Sequence, residues 1–240
     1  MKHLFYSMLI LAVAFVGCSD DDNTNHSINS LSVNSGGAGQ EVTINGENFG
    51  TNASDISVRF GPTNAEIILV EDTRIVTAVP ATAPIGATTI QVVKDDITET
   101  INFTVNDPIV GVWVSEGANV APLLAGPPFN TVRIDAEFNA DGTYAVTTTD
   151  ANNSQVTLSG TWQASEGEGL IRNIEVNQSA PTSLVSEGIY RNVDGTLSYE
   201  IAQTNPPLTG VTPPTAAAGF GSTSLGALGT INVQTYVRAN

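Results

Sequence analysis

Few residues of this chain have side chains of the types that drive enzyme chemistry. Cys18 is the only cysteine, and the two histidines, His3 and His26, both precede residue 27. We expect the folded part of the chain to begin at residue 28, so no thiol or imidazole is predicted within it. Catalysis by Ser-His-Asp or Cys-His groups and histidine-based zinc sites are therefore excluded from the predicted domains.

Carboxylates remain as the other candidates for chemistry. Asp135 and Glu137 alternate along one predicted strand and therefore share a face. Carboxylates that hydrolyse glycosides stand roughly 5–10 Å apart across the bond, whereas two on one strand face are more often solvated. The acidic run 20–22 lacks the spaced oxygen ligands and the turn of a calcium site. We therefore predict no enzyme, no metal and no cofactor.

Cys18 has the surroundings of a lipidation site. Residues 1–18 begin with a basic residue, continue with an apolar run over 4–16 and end in Gly17-Cys18, which is the pattern of a secretory signal. The run is shorter than the roughly 20 apolar residues that cross a membrane. Residues 15–18 resemble a bacterial lipobox, with Phe15 in place of the usual Leu. This resemblance implies a signal peptide over 1–18 and a lipid anchor on Cys18; the alternative is a spare cysteine after an ordinary signal.

The residues after the cysteine bear on location. Ser19, Asp20, Asp21 and Asp22 resemble the acidic export signal of surface lipoproteins in Bacteroidota-type bacteria. That resemblance implies an outer-membrane lipoprotein exposed at the cell surface. The alternative is a solvated acidic linker on a lipoprotein that faces the periplasm. Residues 19–27 as a whole are polar, and we predict that they form a disordered tether.

Composition limits the fold class and the partners. Acidic residues number 24 against 8 basic ones, for a net charge of −16, so the chain repels phosphate backbones and no nucleic-acid partner is expected. Thr, Val and Ile alternate with polar residues between frequent Gly, Asn, Asp and Pro. This pattern predicts an all-β protein.

Residues 28–105 contain about seven short strands, spaced as in a two-sheet sandwich. The segment 39–50, with sequence GQEVTINGENFG, is supported by 58–61 and 75–80. On these residues the domain resembles the IPT/TIG immunoglobulin-like fold, which implies a spacer or interaction module. In the segment 39–50 we expect Gly46 and Gly50 to allow positive φ around a loop plugged by Phe49. The predicted strands are 28–33, 40–46, 56–60, 65–70, 74–79, 88–94 and 98–105.

Residues 106–240 contain about eight further strands. Asp-Gly pairs at 141–142 and 194–195 lie between alternating strands and predict tight hairpins. Short turns between eight strands favour an up-and-down barrel that closes on itself. The motifs 109–113, 138–144 and 158–162 resemble those of bacterial lipocalin-like domains, which implies an eight-stranded antiparallel β-barrel. The predicted strands are 109–115, 131–139, 143–149, 155–164, 170–177, 186–193, 196–203 and 230–238.

Two tryptophans and two long loops are the candidate binding features. Trp113 and Trp162 could stack on a sugar or a lipid, or could simply close one end of the barrel. The loops 117–130 and 205–229 follow the first and seventh barrel strands, so both open at the same end and together could frame one mouth. From them we take the ligand-contacting candidates Phe129, Leu208, Phe220 and Leu225, alongside Trp162; alternatively, the loops only pack on the barrel.

These observations predict a non-catalytic binding protein in which an Ig-like spacer presents a barrel. By analogy of architecture the expected ligand is a glycan. The alternatives are a structural or protein-interaction module of a cell-surface complex, and a carrier of a small apolar ligand. An internal cavity would favour the carrier, whereas a filled interior with aromatic residues at the mouth would favour a glycan or a protein.

Overall fold

The structure is a computed structural model that describes residues 25–239. The predicted signal peptide, Cys18 and the predicted export signal at 19–22 lie outside the described residues. No helix in the described part of the chain is long and apolar enough to cross a membrane. The described chain is almost entirely strand and turn, as predicted, and forms a two-sheet sandwich followed by a closed barrel.

The sandwich packs a four-stranded sheet, in the order β1-β3-β7-β6, against a five-stranded sheet in the order β2-β9-β8-β4-β5. The seven predicted strands are all present, with two short strands, β2 and β5, in addition. Alternating residues of both sheets fill the core, where the rings of Phe60 and Phe103 meet edge to face at 5.2 Å. The strands are β1 Ser27–Leu31, β2 Ser35–Gly36, β3 Glu41–Glu47, β4 Ile56–Phe60, β5 Thr63–Ala65, β6 Ile67–Glu71, β7 Arg74–Ala78, β8 Gly86–Lys94 and β9 Ile97–Val105.

Phe49 plugs the loop after β3, as predicted, but Gly46 is required for a different reason. Gly50 has a φ of +78°, whereas Gly46 is not among the positive-φ residues. A Cβ on Gly46 would lie 1.9 Å from the Ser27 carbonyl oxygen and 2.4 Å from the Phe49 ring. The residue must be glycine because the aromatic plug and strand β1 approach its backbone closely.

His26 belongs to the folded sandwich. The prediction of a disordered tether over 19–27 is therefore wrong for residues 25–27, and the prediction that neither domain contains a histidine is also wrong. The His26 side chain is only 2% exposed, and Nε2 lies 3.2 Å from the Val92 carbonyl oxygen. The imidazole also faces the Phe49 ring at 6.2 Å. Strand β1 begins at the next residue, and the imidazole is buried between that plug and β8.

The second domain is an eight-stranded antiparallel barrel, closed in the order β10 to β17 because β17 pairs with both β16 and β10. The predicted eight-stranded barrel is therefore confirmed. Segments 117–130 and 206–233 connect strands at one end, here called the loop end; short hairpins and the linker lie at the other, the linker end. The strands are β10 Gly111–Glu116, β11 Thr131–Phe138, β12 Thr143–Asp150, β13 Gln155–Glu168, β14 Ile171–Ala180, β15 Leu184–Val193, β16 Thr196–Asn205 and β17 Gln234–Arg238.

Aromatic rings fill the linker half of the barrel. Trp113 is fully buried, donates from Nε1 to the Ile109 carbonyl at 2.7 Å and is covered by the Arg238 guanidinium at 4.5 Å. Trp113 therefore closes this end of the barrel, which is one of the two roles predicted for it. Phe138 contacts the rings of Tyr144 and Tyr199 at about 6 Å.

The linker between the domains is held on both sides. Toward the sandwich, the Asn106 N–H donates to the Gly36 carbonyl at 2.9 Å. Toward the barrel, the Pro108 carbonyl accepts from Asn192 Nδ2 at 2.9 Å, and Asp107 inserts its carboxylate among barrel side chains. One peptide unit therefore separates contacts to the two domains, which makes the joint stiff.

Candidate ligand-binding cleft

A cleft of about 1200 Å³ lies between the sandwich and the linker end of the barrel. The sandwich contributes residues 38–39 and the loop 81–85. The barrel contributes strand β13 and three hairpin turns, at 140–142, 169–170 and 192–195. Both domains are therefore needed to form the site, and its shape depends on the joint between them.

Trp162 lies on the barrel wall of the cleft in a fixed orientation. Its Nε1–H donates to the carbonyls of Asn139 and Thr143, at 3.2 Å and 3.1 Å. The ring also meets Phe138 edge to face at 5.9 Å. The side chain is only partly buried, so part of the ring remains open to the cleft. A Trp held by backbone hydrogen bonds and an aromatic neighbour loses little conformational entropy when a ligand covers it.

Apolar and polar groups surround Trp162. Leu170 on the barrel and Ile85 on the sandwich line the cleft while remaining 69% and 42% exposed. Gln163, Glu166 and Asp194 add amide and carboxylate groups to the same surface. Apolar walls with a small number of polar groups are typical of sites that bind small molecules.

A buried polar network supports the floor of the cleft. The Tyr190 hydroxyl donates to Asp107 Oδ1 at 2.5 Å and accepts from Arg172 Nε at 3.0 Å. The same Arg172 nitrogen lies 3.1 Å from Asp107 Oδ2. Burial, reinforced by the Asp107 charge, raises the pKa of Tyr190, so this hydroxyl remains a hydrogen-bond donor. The network fixes the linker to strands β14 and β15.

Asn192 completes the contact between the cleft floor and the linker. Its Nδ2 is bound to the Pro108 carbonyl, whereas its Oδ1 is enclosed and has no hydrogen-bond partner in the described part of the chain. Neither this network nor the contribution of the sandwich was predicted from the sequence. The one signal in the sequence is the Asn-Asp-Pro junction at 106–108, where a proline restricts the backbone of the linker without indicating what holds it.

The four remaining candidates do not lie in this cleft. Phe129 is 54% exposed on the segment 117–130, and Leu208 is 48% exposed just beyond β16, so both belong to the loop end. Phe220 and Leu225 line a separate surface hollow of about 420 Å³ within the segment 206–233. Of the predicted ligand-contacting residues, the structure therefore places Trp162 alone in this cleft.

The two long loops meet, but the second one does not cover the mouth as a lid. Segment 117–130 contains a one-turn helix, α1 Pro122–Ala125, which contacts the turn 229–232 of the other loop. The Ala121 N–H also donates to Gln234 Oε1 at 2.9 Å. The prediction that both long loops lie at the same end of the barrel is therefore correct. Farther along, however, Phe220 lies beside Arg191, 5.5 Å from its guanidinium, on the outer wall of the barrel.

Glu200 is the reason that segment 206–233 follows the outer wall. Its neighbour Tyr199 points into the barrel, so Glu200 points outward, yet it is 0% exposed. Its carboxylate accepts from the Gly221 N–H at 2.6 Å and from the Thr223 N–H and hydroxyl at 3.1 Å and 2.5 Å. Three bonds to a buried charge hold the loop against β16.

Asp135 and Glu137, the two carboxylates that share one face of strand β11, lie on the outer surface of the barrel. Asp135 forms an ion pair with Arg133 at 2.6 Å, and that Arg also bridges to Glu116 at 2.9 Å. Glu137 lies on the same outward face and is exposed. Within residues 25–239, no cluster of three or more His, Cys, Asp or Glu side chains has the arrangement of a metal site.

Comparison with known families identifies the first domain. The family model of the IPT/TIG domain matches residues 25–108. This segment is an IPT/TIG domain. The match begins before β1, in agreement with the burial of His26 inside the IPT/TIG domain. No curated protein matches the chain in sequence.

Several solved structures from Bacteroides are similar at low identity. An auxiliary nutrient binding protein of Bacteroides thetaiotaomicron is 14% identical over 75% of this chain and 59% of its own, with a TM-score of 0.32. SGBP-B from a complex xyloglucan utilization locus in Bacteroides uniformis is 16% identical over 72% of this chain and 49% of its own, with a TM-score of 0.30.

A structural genomics protein of unknown function from Bacteroides thetaiotaomicron is 16% identical over 76% of this chain and 49% of its own, with a TM-score of 0.34. This chain therefore spans about half of the length of these structures. Beyond the IPT/TIG domain, the likeness is too low to assign a role to the chain.

Proposed function

We propose that this protein is a non-catalytic glycan-binding protein whose site is the cleft between the IPT/TIG domain and the barrel. The observation that carries the proposal is Trp162, which is held in one orientation in a cleft of about 1200 Å³. The apolar C–H face of a sugar ring covers an aromatic ring well. Amides and carboxylates at the cleft wall can exchange hydrogen bonds with its hydroxyl groups.

Charge restricts the class of glycan. The chain carries a net charge of −16, and Glu166 and Asp194 line the cleft. Acidic surfaces disfavour sulfated or uronic-acid ligands through like-charge repulsion. A neutral oligosaccharide therefore fits the cleft better than an anionic one.

The chemistry of the cleft supports binding without turnover. Its lining contains no thiol or imidazole, and His26 is buried in the IPT/TIG domain against Val92 and Phe49. Carboxylates do line the cleft, so lack of turnover is itself a testable part of the proposal. A bound neutral glycan should be recovered unchanged after prolonged incubation with the protein.

The location proposed for the protein is the outer membrane, with a lipid on Cys18 and the binding domains facing outward. The support is the signal-like run 4–16, the residues around Cys18 and the acidic segment 19–22. Labelled palmitate should be incorporated by the native chain and not by Cys18→Ala. Protease added to intact cells should remove both domains if the protein faces outward, and should spare them if it faces the periplasm.

A glycan array with residues 19–240 tests the binding proposal. Trp162→Ala should weaken binding to any selected neutral glycan by at least tenfold, since truncating a central aromatic contact typically costs about 2 kcal/mol. Phe129→Ala is the matched control, because it removes an exposed ring at the opposite end of the barrel. Equal losses in both variants, or none in Trp162→Ala, would contradict the assignment of the cleft.

Recognition of a protein partner is a second candidate function, favoured by one feature of segment 206–233. Leu225 is 95% exposed, and Ser224 and Leu225 both have positive φ, at 54° and 57°. Left-handed backbone is costly for such residues and is retained most often at functional sites. Surface crosslinking in cells, with the native chain compared with Leu225→Ala, tests this second function independently of glycan binding.

A further inference from the structure

Segment 206–233 is an uncharged surface on a strongly acidic chain. Residues 201–237 contain no Asp, Glu, Lys, Arg or His, whereas the whole chain carries a net charge of −16. Within segment 206–233, every residue except Pro214, Ala216 and Thr223 is at least partly exposed. Two acidic molecules repel each other, and the centres of protein interfaces are depleted in charge. Copies of this chain can therefore approach each other best through this segment.

Leu225 projects from the segment as an apolar knob. Its side chain is 95% exposed, and Ser224 and Leu225 have left-handed backbone, with φ values of 54° and 57°. The Ser224 N–H donates to the Thr212 carbonyl at 2.9 Å, and the Ser224 carbonyl accepts from the Ala227 N–H at 3.2 Å. Because these bonds hold the turn in place, little conformational entropy is lost when a partner covers Leu225.

A hollow of about 420 Å³ lies beside the knob. Pro213, Ala218 and Phe220 contribute apolar surface to this hollow, and the exposed Leu225 lies at its rim. A knob and a hollow that adjoin on one surface can be used reciprocally, since a two-fold axis places the knob of each copy in the hollow of the other. The surface is therefore self-complementary in shape.

The two borders of the hollow carry opposite charges. Glu187 and Arg191 share the outward face of β15, four residues and therefore about 13 Å apart. Glu187 lies beside Pro213, where both line an adjoining hollow. Arg191 lies beside Phe220, with its guanidinium 5.5 Å from the ring centre. A two-fold axis through the hollow therefore brings Glu187 of each copy toward Arg191 of the other, so the surface is also self-complementary in charge.

We propose that two copies of this chain associate about a two-fold axis through the hollow of segment 206–233. Leu225 of each copy enters the hollow of the other, and Glu187 of each copy pairs with Arg191 of the other. Neither charged residue forms an ion pair within the described part of the chain, so both are available. This inference rests on the second candidate function, the recognition of a protein partner, and names that partner as a second copy.

Association through this hollow leaves the glycan clefts of both copies free, because the hollow and the cleft share no lining residue. A dimer then presents two clefts, and its binding to a polymeric glycan gains avidity without any new contact to the sugar. Self-association itself does not require that the cleft bind a glycan.

Sedimentation velocity of residues 19–240 over a concentration series measures the association. Leu225→Asn removes the knob and introduces a residue that tolerates left-handed backbone, whereas Ala218→Phe fills the hollow. Each variant alone loses both knob contacts and should associate at least tenfold more weakly than the native chain. An equimolar mixture of the two should associate more tightly than either alone, because the mixed dimer retains one knob in one open hollow. Ile68→Asn, at a 51% exposed position of the sandwich, is the matched control and should associate like the native chain.

Charge exchange tests the borders of the hollow. Arg191→Glu and Glu187→Arg each place like charges opposite one another across the axis, so each alone should weaken association. The double variant exchanges the two charges and should restore it. Thermal unfolding identifies any variant that has lost its fold, and recovery in the mixture or in the double variant cannot arise from misfolding.

A native chain that stays monomeric up to about 1 mM would overturn the inference. So would a dimer that the folded variants do not weaken, or a mixture of Leu225→Asn and Ala218→Phe without recovery. Crosslinking in cells to a different protein, lost in Leu225→Asn while the purified chain is monomeric, would keep partner recognition and reject self-association. Trp162→Ala should dimerise like the native chain, so a failure of glycan binding leaves this inference standing.

Discussion

Asp107 provides the sharpest test of the stiff joint that shapes the cleft. Its carboxylate is 10% exposed and pairs with Arg172, which is 19% exposed, and with the fully buried Tyr190 hydroxyl. Asp107→Asn preserves the shape of the side chain but leaves the Arg172 charge without a counterion. Removing one partner of a buried pair costs about 3–5 kcal/mol.

We expect the free energy of unfolding to fall by an amount near the lower figure, because Asn can still accept a hydrogen bond from Tyr190. At about 2–4 °C per kcal/mol for a chain of this length, a loss of about 3 kcal/mol lowers the Tm of the barrel by roughly 6–12 °C. Urea unfolding followed by near-UV circular dichroism measures the free energy, since all four described tyrosines and both tryptophans lie in the barrel.

Asp135→Asn is the matched control. The same substitution breaks an ion pair with Arg133 in which both side chains are more than 40% exposed, so solvent screens the pair and the expected loss of stability is much smaller than that of Asp107→Asn. The double variant Asp107→Asn, Arg172→Met should recover part of the loss, because no unpaired charge then remains buried. If Asp107→Asn cost no more than Asp135→Asn, the joint would not depend on this network.

Two further predictions concern Glu200 and the buried tyrosines. Glu200→Ala leaves the donors of Gly221 and Thr223 without their acceptor, so it should lower the free energy of unfolding by about 2–4 kcal/mol and cause rapid amide exchange at both residues. The stability of Glu200→Gln should lie between that of Glu200→Ala and that of the native chain. Unchanged exchange in Glu200→Ala would show that the carboxylate does not hold the loop. For the tyrosines, the folded pKa of Tyr144 is raised by burial to about 12, and those of Tyr190, Tyr199 and Tyr236 are raised as well. Unfolded tyrosine ionises near pH ~10, so the stability contributed by the protonated phenols is complete below that pH and is lost as the pH rises through about 12. Tyrosinate absorbance of residues 19–240 should therefore appear together with unfolding, and titration of any of the four near pH ~10 in the folded state would contradict the burial described.

Much of the fold could be predicted from the sequence because its strands are regular. Alternating residues such as Val42 and Ile44 identify the core face of a strand locally. Turn chemistry is equally local: Asp194 and Gly195 have φ values of 49° and 78°, as a tight hairpin requires. These signals lie within a few residues of the structure that they specify, so no tertiary information is needed.

The features that were missed depend on contacts between distant parts of the chain. His26 is polar and lies beside an acidic segment, yet strand β1 carries it under the Phe49 plug. Glu200 occupies an outward position, where a carboxylate is normally solvated, and only segment 206–233 makes it buried. Trp162 was predicted as a candidate, but the cleft around it requires the sandwich loop 81–85, which the barrel sequence does not specify.

The central claim is that a neutral glycan covers Trp162 in the cleft. The chain has two tryptophans, so the indole Nε1–H region of an NMR spectrum contains two signals, which a Trp162→Phe variant assigns. Titration with a glycan selected on the array should shift the Trp162 signal progressively to saturation and leave the signal of the fully buried Trp113 in place. A Trp162 signal that does not move when the glycan is saturating would contradict the account.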